Sequence, residues 1–318
     1  MNFLNSLFGT IIRFFCEICG NSYWLGILLF TVIVNLALLP LSIKQQKSTA
    51  SQARMRNKLE RIKEKCGDDR AKYQEEMSKV YSESGSSPFS GCLLMFIRLP
   101  IFFCIYTAVR QSLTYIYGAG AELISRATDV INSGVLGSSV AIADKNTAEL
   151  TILRHLDALT EYDSSFSALT NGRSFTFHLF GIDLLEDPDF GHISLIWIIP
   201  LLSFAASMLM AAYSTYNNKK TNPETANNPT MGCMMFGMPL FSLYITFQVP
   251  GAVGWYWACS NIVSIVISVL MTKFYSPGKL IAEIEAKEAK KRRAYEAAII
   301  NPQPAGTGKS GKRGSTKR

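Results

Sequence analysis

The amino-acid sequence predicts an all-α membrane protein. It has five transmembrane helices, N-out/C-in, with a cytoplasmic helical hairpin and an outer-surface amphipathic N-terminal helix. Three observations predict this. Of 318 residues, 48% are hydrophobic, and they gather into five long runs. Each run has about 18 or more mostly apolar residues, enough to cross a bilayer. Five such runs exceed what the core of one soluble domain supplies. Lys and Arg then sort by segment. Residues 44–88 hold 11 Lys/Arg against 7 Asp/Glu, residues 112–192 hold 4 against 11, and residues 272–318 hold 12 against 4. Basic segments stay in the cytoplasm, so the first and third lie inside and the second outside. Finally, the apolar run GCLLMFIRLPIFFCIYTAVR, residues 91–110, carries a guanidinium, Arg98. Arginine stays charged, so within a membrane it must pair, snorkel or meet water.

Residues 1–22 place Phe3, Leu4, Leu7, Phe8, Ile11, Ile12, Phe14 and Phe15 on a helical stripe, with Arg13 and Glu17 on part of the other face. This reads as a helix on the outer membrane surface. A signal peptide would need a basic start and a small-residue cleavage site, and the stretch has neither. Cys16 and Cys19 form a lone C-x-x-C without the further ligands of a zinc site. Residues 23–43 are the first span, with Tyr23 and Trp24 at its outer interface and Asn35 as its one strongly polar residue. Residues 44–89 form the cytoplasmic hairpin. Met55, Leu59 and Ile62 recur at helical steps, Gly67-Asp68-Asp69 turns the chain, and Tyr73 and Met77 resume the pattern. These five apolar residues are expected to meet a substrate or partner.

Residues 90–113 are the second span, with Pro100 as a kink. Residues 114–192 form the extracytoplasmic segment. It includes a helix expected over residues 147–159, with Leu150, Leu153, Leu156 and Leu159 on one side. It also includes the aromatic stretch FTFHLFGIDLLEDPDF, residues 175–190, expected at the outer interface. His155, His178 and His192 lack ligand spacing. Residues 193–216 are the third span, with Ser203 and Ser207 one turn apart. A polar loop, 217–230, leads to the fourth span, 231–248. The fifth, 252–273, carries Ser260, Asn261, Ser264 and Ser268. The three serines share a face, as expected for close helix packing. Residues 274–318 are a basic cytoplasmic tail. Lys290, Lys291, Arg292 and Arg293 suit lipid headgroups or ribosomal RNA. Gly308-Lys309-Ser310 resembles the end of a phosphate-binding loop, but Gln303 stands where that loop needs glycine.

No span contains Asp or Glu, so no carboxylate within the membrane can pair with Arg98. Counting along the spans puts Asn35, Ser207 and Asn261 at a similar depth. A cation among polar neighbours implies a hydrated groove open to the cytoplasm; snorkelling of Arg98 to headgroups is the plainer alternative. A wet, positive groove could draw in the acidic or polar flank of a hydrophobic helix and release that helix to lipid. Lipid partitioning would drive this without nucleotide, metal or cofactor. The sequence holds no catalytic constellation, which argues against an enzyme. A small solute or ion transporter would call for inverted repeats and discontinuous helices, and the sequence has neither. A scaffold acting through the hairpin is a third reading.

Three stretches carry a resemblance. They are TVIVNLALLPLSIKQQKS (residues 31–48), KYQEEMSKVYSESGSSPFSGCLLMFIRLPIF (72–102) and VPGAVGWYWACSNIVSIVISVLM (249–271). In this order and spacing they are similar to the YidC/Oxa/Alb family of membrane protein insertases, of bacterial YidC type. The resemblance implies a five-helix core, a cytoplasmic hairpin, and a groove open to cytoplasm and lipid. It implies an insertase and chaperone for nascent membrane proteins in the bacterial cytoplasmic membrane. The ribosome and the general secretion channel are further partners it suggests. The family typically has an arginine in the first span, where this chain has Asn35, and a glutamine in the second, where it has Arg98. The two departures together imply that the groove charge has moved to the neighbouring helix.

Overall fold

The computed structural model describes residues 2–67, 69–84, 93–137, 142, 147–221, 229–274 and 277–300. Helices α1 (Asn2–Ile18), α2 (Tyr23–Ala37), α3 (Leu39–Cys66), α4 (Arg70–Ser84) and α5 (Leu93–Arg110) come first. A π-helical turn (Leu113–Tyr117), α6 (Ala121–Asn132), α7 (Ala148–Arg154), α8 (Leu156–Tyr162) and a 3-10 turn (Ser164–Thr170) follow. A small antiparallel hairpin pairs β1 (His178–Leu179) with β2 (Ile182–Asp183). After a 3-10 turn (Leu195–Trp197) come α9 (Ile198–Thr221), α10 (Pro229–Thr246), α11 (Gly251–Phe274) and α12 (Pro277–Ile300).

The protein is therefore mostly helical, with two or three membrane-spanning candidates. Leu195–Asn217 and Gly251–Phe274 are each long and apolar enough to cross a bilayer. Tyr23–Ala37 and Leu39–Lys47 qualify together, as a pair bent by 44°. Proline chemistry explains the bend. Pro40 has no N–H to give to the Leu36 carbonyl, so the helix breaks there, while a proline in the first turn of α3 costs nothing. From Leu39 a single helix runs on to Cys66, where Gly67 (φ +53°) ends it. The end of the first apolar run and the first hairpin arm are thus one rod. It packs against α4 and α12.

Helix α11 packs between α9 and α2, and α10 lies on α9. Helix α1 is held by α2, α5 and the π-helical turn. It buries Ile12, Phe15 and Cys16 and leaves Phe3, Phe14 and Ile18 exposed. Its close approach depends on two glycines. A side chain at Gly9 would overlap the Tyr115 carbonyl, and one at Gly26 would overlap the Cys16 sulfur.

The described residues between 113 and 197 fold as a cap over one end of the bundle, the end that carries Trp24 and Trp255. The cap contributes Ile116, Ile131, Ile152, Leu159, Phe166 and Leu169 to the core. The helix expected over 147–159 is two short ones, α7 and α8, broken at His155 (φ −109°, ψ 19°). Several bonds fasten the cap. The Tyr23 N–H donates to the Thr176 carbonyl (3.1 Å) and the Thr176 N–H to the Asn21 carbonyl (2.8 Å). The N–H groups of Gly251 and Ala252 donate to the carbonyls of Glu186 (2.9 Å) and Leu184 (2.8 Å). These satisfy donors that the first turn of α11 would otherwise leave unpaired. At the end of α5, buried Arg110 donates from Nη1 to Asp187 (3.0 Å) and from Nη2 to the Gln248 carbonyl (3.5 Å).

Candidate functional site

The polar residues predicted within the apolar helices fall into two groups. In the first, Arg98 on α5 donates from Nη2 to Ser264 Oγ on α11 (3.0 Å) and to Asn35 Oδ1 on α2 (3.5 Å). Asn35 and Ser264 are buried, and Arg98 is partly buried. The partners are themselves held. Asn35 Nδ2 donates to the Thr31 carbonyl (2.9 Å), which turns Oδ1 toward Arg98. Ser264 Oγ lies 2.6 Å from the Ser260 carbonyl and 3.3 Å from Asn35 Oδ1. A hydroxyl has one proton. The shorter contact takes it, and the Ser264 oxygen is left to accept from the guanidinium. Three helices thus converge on one cation through two neutral oxygens. Among the described residues no carboxylate pairs with Arg98.

The second group is Ser207 on α9 and Asn261 on α11, where Asn261 Nδ2 donates to Ser207 Oγ (2.7 Å). One helical turn or more further along, Tyr213 Oη meets Thr272 Oγ1 (3.2 Å) between the same two helices. These contacts tie α9 to α11, and none reaches Arg98. The four predicted residues therefore form a triad lacking one member and a separate pair. The missing member is Ser264. Its signal was the shared face with Ser260 and Ser268; a serine stripe more often marks helix packing, which hid its role.

Helix geometry sets the depth of the triad. Asn35 is 11 residues from Trp24 and Ser264 is 9 from Trp255. At about 1.5 Å per residue, both lie about 14–17 Å from the tryptophan level. That is near the middle of a hydrocarbon layer roughly 30 Å thick.

In the hairpin, Ile62, Tyr73 and Met77 are partly buried. On α12, Lys290, Arg292 and Arg293 are exposed. The side chains of Met55, Leu59 and Lys291, and all of 301–318, lie outside the described residues.

The family model of the 60Kd inner membrane protein matches residues 14–278, which includes the triad, the hairpin and the cap. The chain belongs to this family. Among similar curated proteins, membrane protein insertase YidC 2 of Bacillus anthracis is 38% identical over 106 residues, 32% of this chain and 42% of that protein. Membrane protein insertase YidC of Nitratidesulfovibrio vulgaris (strain DSM 19637 / Miyazaki F) is 26% identical over 255 residues, 80% of this chain and 35% of that protein. The Parabacteroides distasonis protein of the same name is 26% identical over 274 residues, 85% of this chain and 35% of its own length. The chain spans well under half the length of these relatives. Family membership and the apolar helices make this a multi-pass protein of the bacterial membrane.

Proposed function

We propose that this protein is a membrane protein insertase and chaperone. It takes the polar or acidic flank of a nascent membrane protein into a hydrated groove at Arg98 and releases the hydrophobic helix to lipid, with no nucleotide hydrolysed. Five helices, α2 with the start of α3, α5, α9, α10 and α11, cross the membrane. The cap lies outside, and the hairpin and α12 lie in the cytoplasm, in keeping with the Lys/Arg distribution. The ribosome and the general secretion channel are partners on the cytoplasmic and lateral sides. The names of the relatives support the activity.

The observation that carries the groove is the Arg98–Asn35–Ser264 triad. Its guanidinium has five N–H donors and spends those of Nη2 on two neutral oxygens. An incoming carboxylate would bind through the others and gain a charge-assisted bond. The groove charge therefore sits on the helix beside the one that usually carries it. Insertion into proteoliposomes of two single-span substrates, one with an acidic and one with a neutral leading flank, tests this. Arg98→Gln lowers insertion of the acidic-flanked substrate more than that of the neutral one, and adding Asn35→Arg restores it. Equal insertion of both substrates by Arg98→Gln and by the parent protein would refute the groove mechanism.

A further inference from the structure

We propose that Phe180, at the tip of the cap's β-hairpin, is a lipid anchor. It dips into the leaflet on the cap side beside Trp24 and fixes the height at which the cap rides on the membrane. The flanking residues Leu179 and Ile182 are buried, whereas Phe180 is 91% exposed. Its backbone is in the left-handed region (φ +49°), and Gly181 follows with φ +87°. Two such residues between paired strands make a turn whose first position favours asparagine or aspartate. A phenylalanine there is a rare, strained choice. The turn gains nothing from the ring, so its role must lie in what the ring touches.

Lipid is the occupant that the surroundings favour. Among the described residues the ring meets the aromatic ring of Trp24, at 6.0 Å between centroids and tilted, and Trp24 meets Trp255 at 6.2 Å. Those two tryptophans stand within the first two turns of α2 and α11, near the ends of two membrane-crossing elements. Indole rings at such ends mark the headgroup level, so the hairpin tip is at that level too. The hairpin cannot easily swing away. Tyr23 packs on Phe177 with centroids 4.8 Å apart, Tyr23 N–H holds the Thr176 carbonyl, and Ala252 N–H holds that of Leu184. Nor does a bare acid oppose insertion from the hairpin itself, because Asp183 pairs with Arg154 at 3.1 Å. A second set of aromatics, Phe190, Trp197 and Phe247, gathers where α9 begins and α10 ends. Exposed Ile193 and Leu195 lie beside it in sequence. The cap thus meets lipid at two places, with Phe180 as the protruding one.

Two measurements test this in the full chain, in nanodiscs of phosphatidylcholine and phosphatidylglycerol holding one copy each. Hydroxyl-radical footprinting of the unaltered protein compares Phe180 with Tyr162, a cap residue that is 56% exposed. Phe180 is expected to be severalfold less oxidised although its ring is the more exposed in the protein alone. Phe180→Trp then adds an indole at the tip. An apolar group about 5–10 Å into the headgroup–acyl boundary is quenched by lipids brominated at carbons near that depth. The added emission is therefore lost to brominated lipid and is spared by aqueous acrylamide. Oxidation of Phe180 to the level of Tyr162, or quenching of the added emission by acrylamide alone, would overturn the proposal. Either result leaves the Arg98 groove unaffected.

Discussion

Glu149 joins the cap to the end of α5, and its replacement has a calculable effect. The carboxylate is buried. It accepts the Thr114 N–H at Oε2 (2.9 Å) and the Thr114 hydroxyl at Oε1 (2.7 Å). Glu149→Ala removes both bonds, and the freed donors of Thr114, an exposed residue, turn to water. Each hydrogen bond to a charged group contributes about 1.5–3 kcal/mol, part of which is returned when the buried charge disappears. A net loss of about 1–3 kcal/mol follows, equal to a roughly 5- to 160-fold larger open population of the π-helical turn. Hydrogen exchange of the amides in residues 113–117 reads this directly. The pH dependence gives a second check. Burial raises the Glu149 carboxyl above its ordinary value of 4.5, against the pull of the Thr114 bonds. The folded cap then holds more protons than the unfolded chain above pH 4.5. Its contribution to stability is full below that pH and is lost as pH rises through the raised value. Glu149→Gln removes the Glu149 share of that slope. Exchange in Glu149→Ala equal to the parent's, or an unchanged pH slope in Glu149→Gln, would refute the account.

Two further outcomes follow from the same packing. Arg110 is nearly buried and its Nε has no hydrogen-bond partner, whereas Asp187 keeps 41% of its side-chain surface. Asp187→Asn leaves a charge buried and should cost about 1–3 kcal/mol in thermal unfolding, more than the volume-preserving Arg110→Met; the reverse order would count against the pairing. Gly9→Ala forces a methyl onto the Tyr115 backbone and should cost about 1–3 kcal/mol, while Gly120→Ala, with open space around it and only the cap of α6 to weaken, should cost less than about 1 kcal/mol in the same measurement.

What could be read from the sequence was what hydropathy and charge record. Apolar runs and Lys/Arg asymmetry do not depend on which helix touches which, so the bundle and Arg98 with Asn35 were legible. Pro40 causes the bend beside Leu38, because a missing N–H acts locally. Long-range pairing left no such trace. Ser264 looked like its neighbours Ser260 and Ser268 until α5 brought a guanidinium against it. Glu149, on a helix predicted from its leucines, reads as a solvated acid; only the docking of α7 on Thr114 buries it. The β-hairpin was hidden for another reason. Its strands are two residues long, and the Phe180-Gly181 turn lacks the asparagine that would have marked it.

These placements give the molecule two unequal ends. At the Trp24 end, opening the helices would break the backbone bonds to Thr176, Leu184 and Glu186, the Arg110–Asp187 pair and the Glu149 cap together. Such bonds share partners and fail cooperatively, so their cost exceeds that of any one. Around Arg98, α5 is joined to α2 and α11 by hydrogen bonds from a single nitrogen to neutral oxygens, one of them stretched to 3.5 Å. A carboxylate would add an ion pair through the guanidinium's remaining N–H groups. A passenger that reached Arg98 from the hairpin end would therefore gain an ion pair with no bond of the cap broken. One arriving from the Trp24 end would first have to dismantle the cap. The direction of entry proposed here rests on that difference in bonding, and needs no moving gate.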